Sequence, residues 1–208
     1  MSDYLTEQEQ VELLKGWIKQ YSTIILSGVL VAFLIVSGWR YWQQREYKIY
    51  THASALFDEM LTQRLQHASG DTQASKLLTH YAKTPYSQFA ALLLAKDAIA
   101  AKNYALAEQH FNWVINHSSI TAIRQISRLR LARLYTGEQK PERALDVLKT
   151  IDDKSFIGLV DEVKGDVYVV LKNIPLARQS YQLALTELPN AEVIRPLLQM
   201  KYDNLATH

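Results

Sequence analysis

The fold is most evident in residues 165–189, which read GDVYVVLKNIPLARQSYQLALTELP. Two small residues, Gly165 and Ala177, stand where the two helices of a hairpin must approach each other closely. Tyr181 follows Ala177 by four residues, the spacing that places both on one helix face. Pro189 cannot continue a helix, so we expect the second helix to end before it. This stretch therefore predicts one helical hairpin.

The same arrangement of small and large residues recurs in the preceding part of the chain. The small positions are Ala74, Ala107, Ala144 and Ala177, at intervals of 33, 37 and 33 residues. The large apolar residues that follow them by four positions are Leu78, Phe111, Leu148 and Tyr181. The intervals are close to the ~34-residue period of tetratricopeptide repeats. We therefore predict about four such hairpins over residues 55–191; the alternative is a helical bundle in which the alanine spacing arises by chance.

A long segment without charge precedes the repeats. Residues 20–39 contain no Asp, Glu, Lys or Arg, and about 20 helical residues span the ~30 Å hydrocarbon core of a bilayer. The aromatic residues that flank this segment, as in the belts at headgroup level, are Trp17, Tyr21, Trp39, Tyr41 and Trp42. The pattern predicts a transmembrane helix over residues 20–42, after a short amphipathic segment (1–19) and before a linker or helix extension (43–54). A buried core helix and a cleaved signal peptide are the alternatives, although no small-residue cleavage pattern follows the apolar run.

The last residues, 192–208, predict a helix that covers the exposed end of the repeats. Pro196 suits the first turn of a helix, and Leu198, Tyr202 and Leu205 follow at helical spacing. Terminal repeats need such a cap because one side of their core has no neighbouring repeat. The predicted fold class is therefore all-α, with a single N-terminal transmembrane helix followed by a tetratricopeptide-like α-solenoid of about four helical hairpins and a C-terminal capping helix.

Composition and motifs give no reason to propose catalysis. The chain has no cysteine, which excludes a thiolate nucleophile and a cysteine-based metal site. Its six histidines form no metal-binding motif, and the sequence contains no glycine-rich phosphate loop or nucleophile elbow. The formal net charge of +2 comes without the basic stripe that nucleic-acid binding requires. We predict a protein that is not an enzyme, holds no cofactor or metal and binds no nucleic acid.

Four runs of sequence are similar to one known family. They are YLTEQEQVE (residues 4–12), KGW (15–17), GWRYWQ (38–43) and LQMKYDNL (198–205). Together with the repeats, they resemble the YfgM-type ancillary subunit of the bacterial Sec translocon. The resemblance implies a single-pass inner-membrane protein of Gram-negative bacteria, with a cytoplasmic N-terminus and a periplasmic C-terminal repeat domain. It also implies three partners, namely the Sec translocon channel, a PpiD-type periplasmic membrane-anchored chaperone, and unfolded or newly translocated proteins. It brings no catalytic residues.

The charges beside the apolar segment leave the topology open. Lys15 and Lys19 precede the segment, whereas Arg40, Arg45 and Lys48 follow it. Under the positive-inside rule, one additional cation slightly favours a cytoplasmic C-terminal domain. Because long domains are translocated largely regardless of their charge, the periplasmic topology rests on the resemblance alone.

Stacked hairpins form an extended concave surface, and the repeat register predicts which residues face it. The predicted partner-binding residues are Phe89, Leu92, Lys96, Leu129, Arg133, Asp166 and Val169. A face that mixes apolar and charged residues suits varied or extended partners. The favoured hypothesis is a repeat domain that binds a partner chaperone or newly translocated proteins and assists their folding and trafficking. The alternative is a membrane-anchored tetratricopeptide scaffold that organises another envelope complex without chaperone activity.

Overall fold

A computed structural model describes residues 7–188 and 192–205 of the chain, and all regular secondary structure in these two ranges is helical. The helices are α1 (Glu7–Leu65), α2 (Asp71–His80), α3 (Pro85–Ala100), α4 (Tyr104–His117), α5 (Thr121–Gly137), α6 (Pro141–Lys149), α7 (Ile157–Val170), α8 (Ile174–Glu187) and α9 (Arg195–Asn204), with a 3-10 turn at Lys154–Phe156. The all-α prediction is confirmed. Pro189, predicted to close the last hairpin, and residues 206–208 of the predicted capping segment lie outside the described residues.

The chain divides into two compact units, Met1–Thr51 and His52–His208. In the first unit, the apolar side chains of α1 point outward all round the helix; Leu26 and Phe33 are 73% and 66% exposed. Among the described residues, no single helix meets the length and hydropathy criteria for a membrane span. The segments Gln10–Ile24 and Leu26–Leu65 meet these criteria only together, across a bend of 48°. The prediction of one transmembrane helix over residues 20–42 is therefore not confirmed by the structure.

The second unit is built from helical hairpins that share one kind of turn. One residue in each turn adopts a left-handed backbone conformation: His67 (φ 62°), Lys102 (φ 58°), Gln139 (φ 59°) and Lys172 (φ 56°). The next residue then donates its N–H to the carbonyl five residues back: Ala68 to Gln63, Asn103 to Ala98, Lys140 to Tyr135 and Asn173 to Tyr168, at 2.8–2.9 Å. This is the Schellman arrangement, which satisfies carbonyl groups at the end of a helix. The turns recur at intervals of 35, 37 and 33 residues, close to the ~34-residue period of tetratricopeptide units.

The predicted small positions lie where the helices of each hairpin meet. Ala74, Ala107, Ala144 and Ala177 are all buried, each at most 1% exposed. In the last hairpin the close approach is also visible at Gly165, where an added Cβ would lie 2.2 Å from the nearest ring carbon of Tyr181. The predicted close approach of the two helices at Gly165 is therefore observed.

The core of the second unit runs the length of the hairpin array in three adjoining clusters. The first joins the last turns of α1 to α2 and α3 through Met60, Leu77 and Ala90. The central cluster links α3 to α7 and includes Phe111 and Leu148. The third joins α8 to α9 through residues such as Tyr181, Ala184 and Leu198. Each hairpin thus buries apolar side chains against its neighbours, as expected when one hairpin alone cannot bury its apolar face.

Helix α9 covers the end of the array, in agreement with the predicted cap. Leu198 is 1% exposed and packs with Tyr181 and Ala184 of α8. The guanidinium of Arg195 donates to the carbonyl oxygen of Leu185 at 2.7 Å. That bond satisfies a carbonyl near the C-terminus of α8, which has no partner within the helix.

Candidate partner-binding groove

A groove of about 960 Å³ opens on the first half of the hairpin array. Its walls come from the last turns of α1, from α3 and from α5, and Tyr104 and Phe111 of α4 contribute to its floor. All of these residues belong to the second compact unit. The volume lies near the upper end of the ~300–1,000 Å³ typical of ligand pockets, so the groove is large enough for several side chains of a partner.

The wall formed by α3 has an apolar part and a charged part. The groove-lining residues of this helix are Phe89, Leu92, Leu93, Lys96 and Ile99, which follow the three- and four-residue spacing of one helix face. Phe89 and Leu92 lie in the first half of α3, whereas Lys96 lies in the second half. The ring of Phe57, from α1, lies 6.3 Å from the ring of Phe89, which extends the apolar part across to α1.

The wall formed by α5 repeats this division. Its groove-lining residues are Ile123, Ile126, Arg130, Arg133, Leu134 and Gly137. The two isoleucines lie in the first half of the helix and the two arginines in the second half. Short turns make successive helices antiparallel, so α3 and α5 run in the same direction. The first halves of α3 and α5 thus line the groove with apolar side chains, whereas their second halves add cations beside Ile99 and Leu134. The apolar end is defined as Phe89, Leu92, Ile123 and Ile126, and the cationic end as Lys96, Arg130 and Arg133.

The charged groups at the cationic end differ in whether they have partners. Arg133 donates to Glu162 of α7 at 2.7 Å, and Glu138 accepts from Lys140 at 2.8 Å. Within residues 7–188 and 192–205, neither Lys96 nor Arg130 has a carboxylate within salt-bridge distance. The groove thus presents two positive charges that the protein leaves uncompensated.

The structure brings four of the seven predicted partner-binding residues together. Phe89, Leu92, Lys96 and Arg133 all line the groove. Phe89 is 44% exposed and so is accessible to a partner.

The other three predicted residues lie elsewhere. Leu129 is 3% exposed and belongs to the central core, so it does not lie on the concave surface as predicted. Asp166 is held by side chains of α8 and α9, and Val169 is exposed on α7 outside the groove. A role for Asp166 or Val169 in partner binding stays a prediction.

Asp166 belongs to a second cluster, which joins α7, α8 and α9. The hydroxyl of Tyr181 donates to Asp166 at 2.7 Å, and the ammonium of Lys201 donates to Asp166 and to Glu162 at 2.9 Å. Burial lowers the pKa of Lys201, but hydrogen bonds to the two carboxylates outweigh this effect and raise it above its ordinary value. Burial and the bond to Asp166 likewise raise the pKa of Tyr181. Two carboxylates of α7, those of Glu162 and Asp166, are therefore bound by the capping helix, and Glu162 is bound by Arg133 of α5 as well.

Several groove residues were not predicted from the sequence. Phe57 and Leu61 belong to the least regular hairpin, whose register the sequence does not determine. Arg130 lies one helical turn before Arg133. It could have been predicted as a groove residue from this spacing once Arg133 was assigned to the groove. Among the described residues, no group of three His, Cys, Asp or Glu side chains has the geometry to hold a metal ion.

The chain is similar to one family model and to several named proteins. A family model described as a tetratricopeptide repeat-like domain matches residues 15–207. A protein of Neisseria gonorrhoeae named ancillary SecYEG translocon subunit is 28% identical over 208 residues, which cover 99% of this chain and 100% of the relative. Proteins of the same name from Haemophilus influenzae and Escherichia coli are 26% and 22% identical, again over 99% of this chain and 100% of each relative. No solved structure matches the chain.

Proposed function

This chain belongs to the tetratricopeptide repeat-like domain family, and from that membership and its full-length relatives we propose that it is an ancillary subunit of the Sec translocon. One observation carries the proposal. The similarity to ancillary SecYEG translocon subunits covers 99% of this chain and 100% of the relatives. It therefore includes the apolar N-terminal segment as well as the repeats, whereas similarity between the repeats alone would indicate only a shared fold.

We propose that residues 20–42 anchor the protein in the inner membrane. The apolar side chains of this segment are exposed on every side of the helix, with Val29, Leu34 and Ile35 each at least 60% exposed. A helix that is apolar all round is typical of a membrane span or of a deeply buried helix, and within the first unit nothing buries it. The aromatic pairs Trp17–Tyr21 and Trp39–Trp42 lie at the two ends of the segment, as residues at headgroup level do.

We further propose that the N-terminus lies in the cytoplasm and the hairpin array in the periplasm. There the groove would bind a PpiD-type chaperone or newly translocated proteins and assist their folding and trafficking. A concave, partly apolar surface with exposed rings is suited to segments that are not yet folded, because such segments expose apolar side chains of their own.

Site-specific photocrosslinking in intact membranes tests the association with the translocon. A photoreactive residue at Leu34 is expected to form adducts with a SecYEG subunit, and one at Phe89 with a translocating polypeptide or a periplasmic chaperone. A photoreactive residue at Lys154, which is exposed outside both regions, is the matched control. If Leu34 and its neighbours on every side of the helix form no adduct with SecYEG, the proposed translocon role is wrong.

Protease added to spheroplasts tests the topology. Digestion of residues 52–208 while the inner membrane is intact is the expected result for a periplasmic array. If the array is digested only after the membrane is lysed, it is cytoplasmic, and the scaffold hypothesis replaces the periplasmic one. Light scattering by an aggregating protein separates the two hypotheses further, because suppression is expected of a chaperone and not of a static scaffold.

A further inference from the structure

We propose that the groove selects polypeptide segments in which an apolar stretch adjoins carboxylate side chains, and that Lys96 and Arg130 bind those carboxylates. The inference rests on the proposed function, since it states which polypeptides the repeat domain takes. It also goes further, because neither the family nor the relatives' names specify the chemistry of a bound segment.

The charges around the groove favour a ligand that contains carboxylates. The carboxylate of Glu138 already has Lys140 at 2.8 Å. Asp97, next to Lys96 in the chain, has Arg64 at 2.6 Å. No carboxylate therefore remains to compensate Lys96, and the same holds for Arg130 among the described residues. A negatively charged ligand therefore interacts favourably with these two cations, whereas a basic ligand is repelled.

Arg133 differs from these two cations. It is committed to Glu162, whose side chain is 7% exposed, at 2.7 Å. Removing that bond would leave a buried carboxylate with one fewer partner, a costly change. Arg133 therefore acts mainly in holding α5 to α7, and we assign the capture of carboxylates to Lys96 and Arg130.

The apolar end favours a ligand with apolar side chains. Phe89 and Ile126 remain 44% and 36% exposed, and Phe57 supports Phe89 from α1. Apolar side chains of a partner that cover these residues leave water, which is the main favourable term in protein association. Because the apolar and cationic ends belong to the same two helices, one short segment can occupy both at once.

The occupant is a polypeptide rather than a nucleic acid. Two uncompensated cations are too few for a phosphate backbone, whose binding relies on several Lys and Arg contacts. The four residues of the apolar end have no counterpart in a nucleic acid whose bases are stacked. An apolar segment with flanking Asp or Glu matches both ends.

Fluorescence anisotropy with the full-length chain in lipid nanodiscs tests this selectivity. Three labelled peptides share one apolar stretch of Leu and Phe and differ only in their flanking residues, which are Asp, Asn or Lys. We expect the Asp peptide to bind about fivefold more tightly than the Asn peptide at low salt, as two exposed ion pairs would give. The difference should decrease at high salt, and the Lys peptide should bind most weakly.

Variants assign the effect to the two cations. In Lys96→Glu/Arg130→Glu we expect the preference to reverse, so that the Lys peptide binds more tightly than the Asp peptide. Lys83→Glu/Lys154→Glu is the matched control, because it changes the net charge equally at two exposed residues outside the groove. Circular dichroism checks folding, and Lys96→Met/Arg130→Met, which should abolish the preference, replaces the reversal if the double glutamate unfolds.

Two results would overturn the inference. One is equal binding of the Asp and Asn peptides to the native chain, and the other is an unchanged preference in a folded groove variant. Neither result depends on the crosslinks between Leu34 and SecYEG. A chain that crosslinks to SecYEG but does not discriminate between the peptides keeps its proposed function and loses only this inference.

Discussion

The Nζ atom of Lys201 lies 2.9 Å from both carboxylate oxygens of Asp166. The same ammonium donates to Glu162 at 2.9 Å, and Tyr181 donates its hydroxyl proton to Asp166 at 2.7 Å. Lys201 belongs to α9, whereas both carboxylates belong to α7. A single side chain thus connects the capping helix to the inner helix of the last hairpin.

Replacing Lys201 with Met should therefore destabilise the hairpin array. Among the described residues, the carboxylate of Glu162 would keep only Arg133 as a partner, and Asp166 would keep only Tyr181. Since these groups are largely removed from water, we expect a loss of about 1–3 kcal/mol in the free energy of unfolding. Chemical denaturation followed by circular dichroism measures it.

Lys149→Met is the matched control for Lys201→Met. Lys149 also pairs with a carboxylate, that of Asp146 at 2.8 Å, but both side chains are more than 70% exposed. Ion pairs in full contact with water contribute little to stability, so we expect no measurable change. Equal effects of the two substitutions would show that burial of the Lys201 cluster has no energetic consequence.

A methyl group at Gly165 should be far more damaging than one at Gly137. An alanine Cβ at Gly165 would lie 2.2 Å and 2.3 Å from two ring carbons of Tyr181, whereas at Gly137 it would meet no atom within 4 Å. We expect Gly165→Ala to cost about 3 kcal/mol through overpacking. Gly137→Ala should be neutral or stabilising by up to about 1 kcal/mol, since alanine favours the helix. Melting temperatures of the two variants measure these effects. Equal shifts would show that the contact with Tyr181 does not determine the cost of a methyl group at Gly165.

The hairpins could be predicted from the sequence because their signal is local. Small residues such as Ala107 and Ala144, repeated at a nearly constant interval, mark where two helices touch, and both are buried as expected. The backbone of the turns between the helices could not be predicted in this way. Lys102 and Gln139 adopt left-handed conformations, which glycine would have indicated and these residues do not.

The groove could be predicted only in part because it depends on how helices rotate against each other. Successive residues of a helix differ by about 100° around its axis. The rotation of α5 about its own axis therefore decides that Leu129 faces the core and Arg130 faces the groove. The contact of Lys201 with Asp166 depends on the position of α9 relative to α7. No local pattern encodes that position.

Ser118 and Gln88 form a buried polar pair in which only one end of the Gln88 amide has a hydrogen-bond partner among the described residues. The hydroxyl of Ser118 donates to Oε1 of Gln88 at 2.9 Å, while Nε2 of Gln88 is buried without a hydrogen-bond partner in the described part of the chain. Ser118→Ala should cost about 1–3 kcal/mol, because the Gln88 amide then loses its remaining bond and the N–H of Ile120 loses its acceptor at 3.1 Å. Gln88→Met should cost less or stabilise the protein, because it removes the unsatisfied group.

The double variant Gln88→Met/Ser118→Ala tests the coupling of this pair. Once the amide is gone, the loss of the Ser118 hydroxyl leaves no buried partner unsatisfied at residue 88. We therefore expect the double variant to be more stable than the sum of the two single effects predicts, with the difference measured by chemical denaturation. Simple addition of the two single effects would contradict the assignment of the cost to Gln88.

Tyr135 should make the stability of the array decrease at high pH. Burial, followed by the neighbouring carboxylate of Glu108, raises the pKa of its phenol from about 10 to about 12, and Arg143 donates to its oxygen at 2.7 Å. Between these values the unfolded chain loses the phenolic proton while the folded chain keeps it, so stability falls as the pH rises. Tyr135→Phe has no such proton, and its stability relative to the native chain should improve by up to about 2 kcal/mol from pH 10 to pH 12. Urea denaturation of both proteins across this range measures the difference, and parallel curves would show that the pKa of Tyr135 is not raised by folding.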